Sequence, residues 1–197
     1  TWIAFFITFL VWFNHAPLLL AIQATLGLTD QEIKTLLILN VALTIPARII
    51  VGMALDRFGP RRVFSILMVL MSIPALTFAF GNTMTQLLVS RLVLSSIGAS
   101  FVVGIHMTAM WFKPRDIGFA EGFYAGWGNF GSAAAALTLP TIALQMYGGD
   151  DGWRWAIATT GAVAFLYGIF FLWRARNTPQ GASYFKPKKA SALEVST

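Results

Sequence analysis

The sequence predicts an all-α membrane protein built from six spanning helices. Three observations predict it. The chain has 197 residues, 57% hydrophobic and only 11% charged, where a soluble domain carries about a quarter charged residues. It contains repeated apolar runs near the roughly 20 residues needed to cross hydrocarbon. Its basic residues gather in alternate connections between those runs. A soluble core able to hide that much apolar surface would have to be very large, so a bilayer is the simpler solvent.

Net charge is +6. In a soluble chain this would raise nucleic acid as a partner. Here the basic residues lie in loops with no aromatic-interleaved patch, so the partner they imply is the lipid bilayer and no nucleic acid is expected. There is no cysteine, which removes disulfides and thiolate metal sites. Two histidines on different helices and no clustered carboxylates offer no metal set. No nucleophile–base pair stands out, so neither an enzyme nor a cofactor is expected. The first residue is Thr1 and a helix begins at once, which reads as one half of something larger.

Helix 1 is expected over about 2–24, uncharged, with Asn14 and His15 as its polar side chains and Pro17 as a kink. Helix 2 is expected over about 29–55. Thr29 and Glu32 fit a capping box at its start. Asn40, Thr44, Arg48 and Gly52 recur at i+4 and share one side, while Pro46 disturbs the backbone one turn earlier. Gly59 and Pro60 break the chain, and helix 3 follows over about 63–80. Helix 4, about 84–112, carries Arg91 and His106. Helix 5, about 117–147, opens on small residues: Gly118, Gly122 and Gly126 repeat at i+4, with Asn129 near that stripe. This stripe is expected to be a packing device. Helix 6 is expected over about 153–173, with Trp153, Trp155 and Trp173 as interface anchors. Residues 175–197 read as a linker.

Alternate loops differ sharply in charge. One side holds Arg57, Arg61, Arg62, Lys113, Arg115, Arg174, Arg176, Lys186, Lys188 and Lys189. The other holds Lys34 and Arg154 among four carboxylates. The basic side is expected to be cytoplasmic, with the tail, in a multi-pass protein of the cytoplasmic membrane.

Arg48 is the residue the reading turns on. An arginine placed in hydrocarbon costs about 2.5–3.5 kcal/mol on insertion scales, so it normally faces a protein interior or a watery cavity. A planar guanidinium offers two parallel N–H donors to a flat oxyanion. The plainer reading is a structural arginine on backbone carbonyls, or one snorkelling over roughly 12 Å, which is long for that side chain. Arg91 reads as structural pairing as readily as substrate contact. Glu121 is expected to partner the basic turn at Arg57–Arg62. His15 and His106 are proton-carrier candidates, against a plainer reading as hydrogen-bonded interior residues.

Gly52 to Arg62, GMALDRFGPRR, resembles the loop motif of the major facilitator superfamily, G-x-x-x-D-R-x-G-x-R-R, between helices 2 and 3. Gly52, Asp56, Arg57, Gly59, Arg61 and Arg62 are its positions, with Asp56 expected to cap a neighbouring helix. Arg91 to Gly98 matches that superfamily's helix 4 motif loosely. A narrower likeness lies in AEGFYAGWGNFGSAAA, Ala120 to Ala135, which resembles the helix 5 signature of the nitrate/nitrite porter family. Arg48, thirteen residues before Arg61, has the spacing of that family's nitrate ligand. Gly98 to Phe101 resembles the helix 4 segment whose phenylalanine sandwiches the anion, and Phe9 matches an aromatic of helix 1.

The resemblance implies the N-terminal six-helix bundle of a transporter for nitrate, nitrite or both, working by alternating access with a C-terminal half. Arg48, Asn129, Phe101, Gly126, Gly128 and Phe9 would form the substrate site. A coupled proton or nitrite exchange would drive it. A carboxylate or organic anion transporter of the same superfamily and a non-transporting membrane sensor are the alternatives weighed.

Overall fold

The computed structural model describes residues 1–179, so the greater part of the expected linker at 175–197 lies outside the described residues. Those residues form six helical rods and, among them, no strand. The rods are α1 (Trp2–Leu26), α2 (Asp30–Phe58), α3 (Pro60–Ala79), α4 (Met84–Trp111), α5 (Ile117–Thr141, continued as a wider π-turn over Ile142–Tyr147) and α6 (Gly152–Arg174). Five are long and apolar enough to cross a membrane by composition. The exception is α5, whose Gly, Ser, Asn and Trp content dilutes its hydropathy.

Local chemistry explains the ends. Thr29 accepts from the Glu32 amide while the Glu32 carboxylate accepts from the Thr29 amide at 2.8 Å. Thr83 and Gln86 form a second box of the same kind at the start of α4, unremarked in the sequence reading. Gly59 adopts φ 78°, a conformation costly for any residue with a Cβ, and Pro60 then opens α3 at N1, where its missing N–H is harmless.

Proline bends α1 as expected: Ala16–Leu18 forms a 3-10 turn around Pro17. Two further breaks appear. Leu43, at φ −90° and ψ 3°, separates Asp30–Ala42 from Thr44–Phe58 in α2. Ser95–Ala99 narrows to a 3-10 segment inside α4.

The rods pack chiefly as α3 along α6 and α1 along α5. Their apolar interior has two clusters. One gathers Phe5, Trp12, Phe64, Met68, Leu94, Ile97, Tyr124 and Phe171. The other gathers Leu18, Ile22, Leu36, Phe78, Leu87, Leu139, Trp153 and Ile157. Along each of α1, α4 and α6 a buried polar residue falls between the two: Asn14 and His15, Arg91, and Thr160.

Two expectations are corrected here. The stripe Gly118, Gly122, Gly126 has no neighbouring atom within 4 Å of where a Cβ would stand, so it packs against nothing among the described residues. The close approach is made on the neighbouring stripe, where Gly128 meets the Phe5 ring and Gly131 meets the Phe6 carbonyl. Trp153 is also no interface anchor. It is 1% exposed and its Nε1 donates to Thr25 Oγ1 at 3.2 Å, whereas Trp155 and Trp173 are exposed.

Arg154 closes the α3–α4 corner. Its Nη1 donates to the carbonyls of Ala79 and Gly81 at 3.0 and 2.7 Å, its Nη2 to Asn82 Oδ1, and its Nε pairs with Asp151 at 2.7 Å. These are orphan acceptors at a helix end. Arg154→Ala is expected to destabilise the fold by about 1.5–3 kcal/mol, the range for hydrogen bonds to a charged group. Thermal unfolding in detergent measures it, and an unchanged midpoint would mean that water replaces those bonds at no cost.

Candidate functional site

The i+4 stripe on α2 begins inside the bundle and leaves it. Asn40 and Thr44 are buried, while Arg48 is exposed. The break at Leu43 lies between Asn40 and Thr44, and the segment from Thr44 to Phe58 carries Arg48 beyond it. Among the described residues Arg48 makes no ion pair and no hydrogen bond; the single ion pair there is Arg154 with Asp151. Its Cζ lies 5.7 Å from the centre of the Phe101 ring. Such cation–π contact contributes about 0.5–1 kcal/mol at an exposed site, too little to occupy the guanidinium's five donors.

Phe101 stands just past the 3-10 segment of α4 and is half-buried. Its ring meets Phe5 at 5.9 Å. Phe5 is the hub that the sequence reading missed. It stacks on Tyr124 at 4.3 Å, meets Phe9 edge-on at 4.6 Å, and presses on Gly128, where a Cβ would fall 2.0 Å from its ring. The available signal was the i+4 pair Phe5–Phe9 opposite a small-residue stripe. Arg48, Phe101, Phe9 and Gly128 are thus linked through one phenylalanine. Phe9 is buried against Phe5, and Gly128 makes room for Phe5.

Asn129 and Gly126 stand apart from that chain of contacts. Both are exposed on α5. Asn129 donates Nδ2 to the Ala125 carbonyl at 2.9 Å, which leaves its Oδ1 and second N–H outward. Gly126 faces open space.

The loop motif adjoins the site. Gly52, Leu55 and Asp56 from α2 and Phe101, Val102, Ile105, His106 and Ala109 from α4 line an open groove of about 510 Å³. Phe101 therefore joins the Arg48 pair to the motif. Asp56 caps no neighbouring helix among the described residues; it lines the groove together with His106. Arg57 lies over Phe58 at 5.4 Å. Arg61 donates Nε and Nη2 to the Leu172 carbonyl at 2.8 and 2.5 Å and donates its backbone amide to Asn177 Oδ1 at 2.9 Å, so it ties α3 to the end of α6. Arg62 is exposed. Glu121 forms no ion pair with this turn among the described residues.

Arg91 proves fully buried, with four of its five N–H groups on neutral acceptors: Asn40 Oδ1 at 2.8 and 3.0 Å, Asn14 Oδ1 at 3.3 Å, and the Trp12 carbonyl. It has no open donor face for a ligand. His15 is also fully buried, but neither ring nitrogen has a hydrogen-bond partner among the described residues, contrary to the plainer expectation. A separate pocket of about 440 Å³ between Trp2, Trp111, Phe119 and Phe123 is almost wholly apolar and holds none of these groups.

Comparison with known proteins adds the following. The family model described as Major Facilitator Superfamily matches residues 1–196. The whole chain is 48% identical to a nitrate/nitrite transporter, NrtP, of Nostoc punctiforme, and covers 40% of it. It is 41% identical to the NrtP of a Picosynechococcus species, again over the whole chain and 41% of that protein. A high-affinity nitrate transporter, 2.3, of Oryza sativa subsp. japonica is 30% identical over 98% of the chain and 38% of its own length. The chain spans about two-fifths of these curated relatives.

Proposed function

Because this chain belongs to the Major Facilitator Superfamily, we propose that it is the N-terminal six-helix half of a secondary transporter carrying nitrate, nitrite or both by alternating access. As a family member with long apolar helices it is a multi-pass membrane protein. Its relatives are transporters by name, which agrees with the expectation that it is no enzyme.

The observation that carries the reading is Arg48: an arginine inside a spanning helix, exposed, without a carboxylate among the described residues, and set over a phenylalanine. A guanidinium supplies charge and two parallel donors, and the Phe101 face supplies a flat, weakly hydrating wall. Nitrate and nitrite are planar and give up water more readily than strongly hydrated anions, so the pair favours them. Asn129 would add polar contacts from α5, Gly126 would leave space, and Phe9 and Gly128 would hold Phe5 in place behind Phe101. The excess of basic residues in alternate loops supports a cytoplasmic side for the Gly52–Arg62 turn and the tail, with the cytoplasmic membrane as location. Residues 175–197 lead to a second bundle, and drive comes from nitrite exchange or a coupled proton.

The test is competition. In proteoliposomes holding the full-length protein, labelled nitrate uptake is expected to fall when nitrite is added and to persist with equal formate or lactate. The reverse pattern would make the substrate an organic carboxylate and retire the nitrate assignment.

A further inference from the structure

Three helices break at one level around Arg91. Trp12 and Asn14 lie within the turn before the 3-10 segment of α1, Asn40 precedes Leu43 in α2, and Ser95 opens the 3-10 segment of α4 one turn after Arg91. Besides the bonds along each helix, groups at these breaks are bonded across helices. Leu43 donates its amide to Ser95 Oγ at 3.0 Å, Thr44 Oγ1 donates to the Ser95 carbonyl at 3.1 Å, and Trp12 Nε1 donates to the Asn40 carbonyl at 2.7 Å. Arg91 joins the set at its centre, bonded to Asn14, Asn40 and the Trp12 carbonyl, with Phe78 beneath its guanidinium at 5.3 Å.

Charge without a counter-ion is an expensive way to tie helices. A buried arginine facing only neutral acceptors gains less than it loses in hydration, so stability alone is a poor reason for it. What lies beyond the breaks supplies a better one. Arg48 stands one turn after Thr44, and Phe101 two residues after Ala99. The direction of both outgoing segments depends on how the breaks are held.

We propose that Arg91 is a positioning residue: by binding the residues before the breaks in α1 and α2 to its own helix, it sets the spacing of Arg48 and Phe101 without touching the anion. This rests on the reading of Arg48 as anion ligand.

The full-length protein is reconstituted and nitrate uptake is measured per inserted molecule. Arg91→Lys keeps the charge but cannot span all three acceptors; it is expected to raise KM for nitrate about tenfold, with Vmax within about twofold, as a lost buried hydrogen bond would. Ser95→Ala removes the bond from the Leu43 amide to Ser95 Oγ and leaves the Arg91 side chain's bonds in place; it is expected to raise KM about threefold. A cluster that only holds the fold together would lower the amount of inserted protein and leave KM unchanged, and that result overturns the proposal. Should Arg91→Lys fail to insert, Ser95→Ala decides by the same criterion. Arg48→Lys, run in parallel, separates the two readings. If it leaves nitrate affinity intact, the anion site itself is misplaced. If it abolishes uptake while the other two variants keep the parent KM, only the positioning role is lost.

Discussion

Arg48→Lys in the full-length protein is expected to cut nitrate uptake about 100-fold, with membrane insertion unchanged. The substitution preserves charge and most of the stem. It removes the planar fork, so two parallel donors become one point donor. Charge-assisted hydrogen bonds contribute about 1.5–3 kcal/mol each, and losing one with its geometry accounts for that factor. Insertion is spared because Arg48 makes no hydrogen bond or ion pair among the described residues for the fold to lose. Its contact with Phe101 at 5.7 Å survives in part with an ammonium. Initial rates of labelled nitrate uptake, normalised to inserted protein, provide the measurement. Parent-like affinity would take Arg48 out of the site.

Gly131→Val should all but prevent the bundle from assembling. A Cβ there would stand 2.3 Å from the Phe6 carbonyl oxygen and 3.1 Å from Phe9 Cβ. A carbonyl cannot rotate aside as a side-chain tip can, so α1 and α5 must separate. Overpacking of this kind costs about 1–3 kcal/mol and more when backbone blocks relief; we expect at least about 3 kcal/mol for valine on that basis. The yield of monodisperse protein in detergent should collapse. Gly126→Val is the matched control, since no neighbouring atom among the described residues lies within 4 Å of its Cβ position, and its effect on the same yield should be small. Equal behaviour of the two variants would contradict the packing described for α5.

The difference between those two glycines shows where sequence reading stops. A run of glycines three and four apart says that some helix comes close. It does not say which stripe is covered, because the neighbour's identity is not local information. Gly118, Gly122 and Gly126 have the cleaner spacing, yet Gly128 and Gly131 make the contact. Arg91 teaches the same lesson from the other side. Its neutral partners come from residues 51 and 77 positions away in the chain, Asn40 and Asn14, and no spacing rule joins them. Phe5 was missed for a like reason: its weight comes from Tyr124, Phe101 and Gly128 together.

By itself the sequence determined what depends on composition and on neighbours within a turn. Apolar length and low charge set the solvent and the helical class. Thr29 with Glu32, and Gly59 with Pro60, set element ends through their own backbone groups. The tertiary structure alone decided which polar residues are spent internally and which remain open. Arg91 and Arg48 are both arginines inside spanning helices, but one is surrounded by carbonyl and amide oxygens while the other, among the described residues, lies over an aromatic face. The physical reason is that hydrogen-bond satisfaction is settled by whatever three-dimensional packing brings within about 3 Å.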